Sequence, residues 1–154
     1  MITIIKAQAE DANELLKVKI NAFKQEVDLY GSGPPGYDDI KKEIVPIKAG
    51  NYFKIMNEGK IIGGIITDNK SIGNYYIRGL FIDLEFQNRG IGTLAMNFLE
   101  KEFPNAKKWS LETPHLSFRN HHFYEKMGFL KVGETKPDPQ NNNFSLFLYE
   151  KVNV

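Results

Sequence analysis

The segment from residue 80 to residue 103 constrains the fold more than any other part of the chain. It opens with a β-prone run that ends at Ile82 and continues into a helical pattern over residues 90–103. There, apolar residues keep the i, i+3, i+4, i+7 and i+8 spacing of a single helix face, and Pro104 stops the helix. A further β-prone run follows at residues 108–113. Because a strand, a helix and a strand follow one another, the sheet is expected to contain a parallel pair.

The remaining segments alternate between strand and helix patterns. Strands are predicted at residues 2–7, 52–56, 60–67, 72–82, 108–113, 129–132 and 144–149. Helices are predicted from Asp11, as the capping residue, to about Phe23, and at residues 39–45, 90–103 and 117–127. We therefore predict an α+β fold in which a mixed, mostly antiparallel sheet is flanked by helices.

Composition removes several classes of protein. The 20 Lys and Arg residues nearly balance the 19 Asp and Glu residues, so the basic excess of a nucleic-acid binder is missing. Without cysteine, the chain offers no disulfide framework, thiolate metal site or cysteine nucleophile. The polar N-terminal residues and the lack of a long apolar span predict a cytoplasmic protein with no membrane partner. A single domain over residues 1–154 is expected, and a homodimer is compatible with these features.

The turn between the central strand and helix has the chemistry of a phosphate site. Gly90 and Gly92 stand at the start of the helix, where unpaired N–H groups and partial positive charge favour an anion. Asn88 suits a turn that needs a left-handed residue. A helix dipole supplies about 0.3–2 kcal/mol, whereas micromolar affinity needs about 8 kcal/mol. Further contacts are therefore required, such as the Arg89 cation and an extended ligand arm along the preceding strand.

Two motifs in this order resemble those of the GNAT superfamily of acyl-CoA-dependent N-acyltransferases. Gln87-Asn88-Arg89-Gly90-Ile91-Gly92 fits the cofactor signature Gln/Arg-x-x-Gly-x-Gly/Ala. Phe123-Tyr124-Glu125-Lys126-Met127-Gly128-Phe129 looks like the second signature, Phe-Tyr-x-Lys-x-Gly-Phe. The order of elements over the whole chain agrees as well. The resemblance implies acetyl-CoA as co-substrate, no metal, and a sheet splayed after Ile82 to hold the acyl-CoA.

The resemblance also implies roles for particular residues. Tyr124 would protonate the leaving thiolate, and Glu112, at a strand end, would be the general base, with His115 or water as alternatives. Ser117 stands where many relatives have a cofactor-binding Asn, so that contact could have moved to Asn120. Leu84 replaces a common Pro, which affects only the stiffness of the turn. The implied cofactor-binding residues are Leu80, Phe81, Ile82, Gln87, Asn88, Arg89, Gly90, Ile91, Gly92, Thr93 and Asn120.

The loop after the first helix is the place where the resemblance puts the amine acceptor. Asp28, Tyr30 and Tyr37 are the candidate substrate-binding residues there. The stretch Gly31-Ser32-Gly33-Pro34-Pro35-Gly36 matches a dinucleotide pattern letter for letter, but no strand precedes it and two prolines resist helix entry. The three histidines do not have the spacing of a metal site.

The sequence therefore predicts an N-acetyltransferase in which an amine attacks acetyl-CoA directly within a ternary complex. The acceptor stays open between a small amine and the amine of a protein or peptide. The alternative is a non-catalytic acyl-CoA-binding regulatory module on the same fold. A protein-interaction domain without a cofactor is disfavoured by the placement of Gly90 and Gly92.

Overall fold

The computed structural model describes residues 1–153, and Val154, the last residue of the predicted domain, lies outside them. The strands in the described chain are β1 Ile2–Lys6, β2 Tyr52–Asn57, β3 Lys60–Ser71, β4 Asn74–Ile82, β5 Lys108–Pro114, β6 Leu130–Thr135 and β7 Leu146–Val152. The helices are α1 Ala12–Ala22, α2 Lys24–Tyr30, α3 Ile40–Lys48, α4 Ile91–Glu102 and α5 Phe118–Lys126. One seven-stranded sheet has the order β1-β2-β3-β4-β5-β7-β6. This mixed sheet flanked by helices confirms the predicted α+β class.

The described chain folds into two compact units. Unit 1 comprises Met1–Thr67 and Gly79–Leu99, and unit 2 comprises Asp68–Arg78 and the chain from Glu100 onward. The single domain predicted over residues 1–154 stays a prediction.

The core of unit 1 forms because α1 and α3 turn apolar faces toward the same cluster as strand residues. Leu15 of α1 and Tyr52 of β2 are fully buried, and Ile47 of α3 and Phe81 of β4 are nearly so. Fully burying one such side chain contributes about 1.5–3 kcal/mol. Phe81 thus anchors the end of β4 in this core.

Two details of the first helices differ from prediction. Asp11 does not cap α1, because its carboxylate accepts a hydrogen bond from the Gln8 N–H at 2.7 Å and pairs with the Lys54 ammonium at 2.9 Å. Helix α2, which was not predicted, begins directly after α1. The break at Phe23 has φ −92° and ψ 6°, and neither glycine nor proline marks it in the sequence.

Glycines bring β3 close to the end of β4. The β2–β3 register shifts between Ile55 and Met56, which is a bulge in this pair. A Cβ atom on Gly63 would lie 2.4 Å from the Phe81 carbonyl oxygen, and one on Gly64 would lie 2.6 Å from Cζ of the Phe81 ring. A larger residue at either position would displace the strand that precedes the phosphate-type turn.

In unit 2 the parallel pair predicted near the middle of the chain is confirmed. Residues 74–76 of β4 pair with residues 108–110 of β5, and β5 pairs antiparallel with β7 over its full length. Trp109, Leu111 and Thr113 are buried on one face of β5. Because side chains alternate along a strand, Ser110 and Glu112 point to the opposite face.

Candidate functional site

The turn after β4 has the left-handed backbone that the sequence predicted. Asn88 has φ 65° and Gly90 has φ 77°, both in the region that Asn and Gly tolerate best. The Gln87 side-chain amide donates a hydrogen bond to the Ile82 carbonyl at 2.9 Å. This bond spans the turn from its end to the end of the strand, so the Gln87 amide has a structural contact, and its role toward a cofactor stays a prediction.

The first turn of α4 faces open space at the predicted phosphate position. The Leu94 N–H donates to the Gly90 carbonyl at 3.2 Å, which starts the helical ladder. The N–H groups of Ile91, Gly92 and Thr93 precede that ladder and have no partner within the helix. A Cβ atom built on Gly90 would meet nothing within 4 Å. The backbone therefore offers clustered donors with room for an anion.

Arg89 is exposed beside these donors. Its guanidinium carbon lies 5.2 Å from the centroid of the Phe86 ring, a cation–π contact that holds the side chain near the turn. A guanidinium binds phosphate oxygens well because its N–H groups form a planar fork. The turn thus combines a fixed cation with backbone donors, as a pyrophosphate site requires.

Leu80, Phe81 and Ile82, the predicted acyl-arm residues, form the end of β4. The Phe81 ring packs against the rings of Phe23 and Tyr52, with centroids 6.2 and 6.4 Å away. The Asp83 N–H donates to the Ile62 carbonyl at 2.8 Å and fixes the strand end. The strand is therefore rigidly placed, whereas its contact with a ligand stays a prediction.

The Phe23 ring links this strand to one of the predicted acceptor residues. Its centroid lies 6.3 Å from that of the Tyr37 ring in an edge-on arrangement. Asp28 and Tyr30 lie on α2, and Asp28 is exposed. The structure thus brings Tyr37 near the β4 end through Phe23, and the acceptor roles of all three residues stay predictions.

A buried polar cluster in unit 1 was not predicted. Lys19 and Glu43 form an ion pair, and the Tyr52 hydroxyl donates to the other Glu43 carboxylate oxygen at 2.8 Å. Relative exposures are 7% for Lys19 and 2% for Glu43. Burial, together with the Glu43 charge and hydrogen bond, raises the pKa of Tyr52 far above its ordinary value. The cluster joins α1, α3 and β2 at the core beneath Phe81.

Tyr124 is the buried residue of the second motif in unit 2. It is 9% exposed, and its ring packs against those of Phe123, Phe129 and Tyr149 at centroid distances of 5.1, 5.6 and 6.4 Å. The Phe129 N–H donates to the Tyr124 carbonyl at 2.9 Å, which closes α5. The motif therefore builds a rigid aromatic seat for the tyrosine.

Asn120 and its neighbour His121 connect α5 to the end of β5. The Asn120 amide donates to the Thr113 hydroxyl at 3.2 Å, and His121 Nε2 lies 2.9 Å from the Pro114 carbonyl, to which a protonated Nε2 donates. The His121 ring stacks on Phe147 at a centroid distance of 4.9 Å. The Asn120 amide thus has a structural partner, and its cofactor role stays a prediction.

His115, the alternative base, uses one ring nitrogen for structure. The Ser145 N–H donates to His115 Nδ1 at 3.1 Å. A neutral imidazole has one acceptor nitrogen, so this bond leaves the proton on Nε2. Taking a proton from an amine would require that bond to break, which makes His115 the weaker candidate.

Glu112 lies in an open cleft of unit 2. The cleft measures about 390 Å³, and its lining includes Tyr76, Ser110 and Leu148. Among the described residues, the Glu112 carboxylate has no ion pair within 4.0 Å and no hydrogen bond. Burial, followed by the charges of Glu112 and Asp68, raises the pKa of Tyr76 to about 12, so its hydroxyl stays protonated at neutral pH. The cleft pairs a proton acceptor with a proton donor.

Two searches of the described residues gave negative findings. No group of three or more His, Cys, Asp or Glu side chains in residues 1–153 is placed to hold a metal ion. No helix in the same range has the length and apolar character needed to span a membrane.

Comparison with protein families places the chain in a known group. The model of the acetyltransferase (GNAT) family matches residues 22–129. Bacillus subtilis (strain 168) protein YrkN is 30% identical over 129 residues, which are 80% of this chain and 70% of that protein. Both matches include the phosphate-type turn or most of the chain around it, so the first sequence resemblance is confirmed.

Solved structures with low sequence identity share the fold. The PaiA N-acetyltransferase of Thermoplasma acidophilum in complex with coenzyme A has a TM-score of 0.82 at 19% identity, covering 99% of each chain. The ribosomal-protein-S18-alanine N-acetyltransferase of Escherichia coli has a TM-score of 0.76 at 16% identity, covering 99% of this chain and 94% of that one. The fold is therefore that of these acetyltransferases.

Proposed function

This chain belongs to the acetyltransferase (GNAT) family, and on that premise we propose that it transfers the acetyl group of acetyl-CoA to a primary amine. The observation that carries the proposal is the turn at residues 87–93, where two left-handed residues, free space and the first N–H groups of α4 coincide. The coenzyme A bound to the Thermoplasma PaiA enzyme supports the same class of ligand.

Binding would divide between backbone and side chains. The N–H groups at the start of α4 and the Arg89 guanidinium would hold the pyrophosphate, while the backbone of residues 80–82 would pair with the amide groups of the pantetheine arm. An extended arm along a strand edge supplies many hydrogen bonds at once. These contacts add the free energy that a helix dipole alone does not provide.

The transfer would proceed in one ternary complex. The amine nitrogen attacks the thioester carbonyl carbon, a C–N bond forms, and the C–S bond breaks as the oxyanion collapses. Glu112 accepts the proton lost by the amine, and Tyr124 donates a proton to the departing thiolate of coenzyme A. Since the chain has no cysteine, an acyl-enzyme through a thiol is excluded, and direct attack is the simpler route.

The test is product analysis by mass spectrometry. We would incubate the protein with acetyl-CoA and a mixture of primary amines, amino acids and peptides, and search for species that gain one acetyl group. An acetylated amine that appears only with active protein supports the transferase. Incubation with acetyl-CoA alone leaves the protein mass unchanged if attack is direct, whereas stoichiometric acetylation of a side chain that then passes to the amine contradicts a ternary complex.

The second candidate is a non-catalytic module that binds acyl-CoA. Ser117 in place of the common Asn favours it, as does the bond of the Asn120 amide to Thr113, which occupies the other candidate amide. Tight acetyl-CoA binding with no acetylated product in the same mixture would support this candidate.

A further inference from the structure

The open cleft of unit 2 contains two unpaired charges of opposite sign. Lys70 and Glu112 both line it, together with Tyr76, Ser110, Leu148 and Val132. Its volume of about 390 Å³ lies within the range of about 300–1,000 Å³ that small-molecule sites occupy. The cleft is therefore large enough for a metabolite.

Strand register explains why these residues share one face. Tyr76 pairs with Ser110 across the parallel β4–β5 ladder, and Glu112 pairs with Leu148 across the antiparallel β5–β7 ladder. Ser110 and Glu112 stand two residues apart on β5, so their side chains lie on the same face. The opposite face carries buried Trp109 and Leu111, which leaves this face to solvent or a ligand.

Tyr76 is the common neighbour of the two charges. The Lys70 ammonium lies 5.1 Å from the centroid of the Tyr76 ring. The Glu112 charge contributes to the raised pKa of the same tyrosine, which places the carboxylate within electrostatic reach of its hydroxyl. A cation and an anion thus flank one aromatic side chain.

Neighbouring charges are neutralised within the protein, in contrast to these two. Lys108 pairs with Glu150 at 3.3 Å, and Arg78 pairs with Asp68. For Lys70 and Glu112, the described chain supplies no ion-pair partner within 4.0 Å and no hydrogen bond. The fold therefore leaves one positive and one negative group unneutralised at the cleft.

We propose that this cleft binds a zwitterionic acceptor, an aliphatic amino acid whose amine faces Glu112 and whose carboxylate faces Lys70 and the Tyr76 hydroxyl. The aliphatic part would pack on Leu148 and Val132. This inference rests on the proposed acetyltransferase function and names its acceptor. A diamine would place a second cation beside Lys70, and an internal peptide amine lacks the carboxylate, so both fit the cleft less well.

The test compares acceptors that differ only in charge. Initial rates would be measured for an aliphatic amino acid, its carboxamide and the matching diamine, with the wild type, Lys70→Glu and Lys101→Glu. Lys101→Glu makes the same charge change on an exposed helix residue outside the cleft lining. We expect the wild type and Lys101→Glu to prefer the amino acid by at least about 10-fold in kcat/KM, equivalent to about 1.4 kcal/mol. Lys70→Glu should reverse the preference toward the diamine.

The outcomes separate this inference from the proposed function. Turnover of all three acceptors at equal rates, or an unchanged order in Lys70→Glu, overturns the amino-acid acceptor while the transferase stands. If no amine is acetylated, calorimetric titration of the amino acid into the protein with coenzyme A decides the matter. Binding that is lost in Lys70→Glu supports the cleft as an amino-acid site without transfer, and the lack of binding to the wild type overturns it.

Discussion

Two Lys and Glu combinations in this protein have the same charges and opposite surroundings. In unit 1, Lys19 and Glu43 are buried, bound to each other and joined by the Tyr52 hydroxyl. In unit 2, Lys70 and Glu112 are exposed in a cleft and have no ion-pair partner in the described chain. Charges that neutralise each other in the interior fix helices in place, whereas charges left unneutralised in a cleft are available to a ligand.

The comparison predicts that the two combinations respond differently to mutation. Loss of one buried partner should reduce the free energy of unfolding and leave a damaged core. Loss of one cleft charge should change rates and acceptor choice in a protein of normal stability. The four predictions below run from the largest expected change in free energy to the smallest.

Lys19→Met should lower the free energy of unfolding by about 3–5 kcal/mol, because it leaves the buried Glu43 carboxylate without its cation. Urea denaturation measures the change, and Lys17→Met, an exposed residue of the same helix, is the control. The triple variant Lys19→Met, Glu43→Leu, Tyr52→Phe should recover most of the loss, since it leaves no buried polar group unpaired. A Lys19→Met variant as stable as Lys17→Met would contradict the description of this cluster.

Glu112→Gln should lower kcat by about 100-fold, because the amide does not accept the proton of the amine. The free energy of unfolding should stay within about 0.5 kcal/mol of the wild type, as for most exposed positions. Steady-state rates and urea denaturation together test the contrast with Lys19→Met. Glu102→Gln, an exposed carboxylate of α4 in the same unit, is the control, and an unchanged kcat in Glu112→Gln would assign deprotonation to water.

Gly90→Ala should weaken acetyl-CoA binding by about 10-fold, or about 1.4 kcal/mol, because its Cβ atom would occupy the open space beside the α4 donors. Gly59→Ala is a matched control, since Gly59 in the β2–β3 turn has φ 80° and the same open surroundings. Both variants should lose about 1–2 kcal/mol of unfolding free energy through backbone strain. Calorimetric titration distinguishes them, and equal affinities for acetyl-CoA would remove the phosphate role from this turn.

Arg78→Gln should lower the free energy of unfolding by less than about 1 kcal/mol, because the Arg78–Asp68 pair is partly exposed. The hydrogen bond from Arg78 lowers the pKa of Asp68. The contribution is therefore complete above the ordinary aspartate pKa of about 3.9 and is lost as the pH falls through the lower folded value. Unfolding measured from pH 7 to pH 2 should show the two proteins converging at low pH, and a difference that grows there would reverse the assigned sign.

The phosphate-type turn was predictable because its determinants are contiguous. A strand, an Asn, two glycines and a periodic helix stand within one short segment, and the left-handed Asn88 and the start of α4 follow from local chemistry. Local signals gave out where tertiary contacts decide. Asp11 has the residue type of a helix cap, yet Gln8 and Lys54 take its carboxylate, and no breaker residue marks the end of α1 at Phe23.

The cleft and the buried cluster could not be read from local sequence. Lys70 and Glu112 belong to distant segments that meet only through the parallel β4–β5 register. Lys19 lies on a helix where lysine ordinarily faces solvent, and only the packing of α3 supplies its Glu43 partner. The acceptor candidates Asp28, Tyr30 and Tyr37 stay predictions, as do the roles of Tyr124 and Asn120.

The central claim is acetyl transfer with Tyr124 as the acid, and thiol release from acetyl-CoA tests it most directly. A chain without cysteine adds no thiol background to this assay. We expect release that depends on an amine acceptor and falls by about 100-fold in Tyr124→Phe, with acetyl-CoA affinity unchanged. Amine-dependent release at the wild-type rate in Tyr124→Phe would remove that role, and no release with any amine, despite measured acetyl-CoA binding, would contradict the transferase itself.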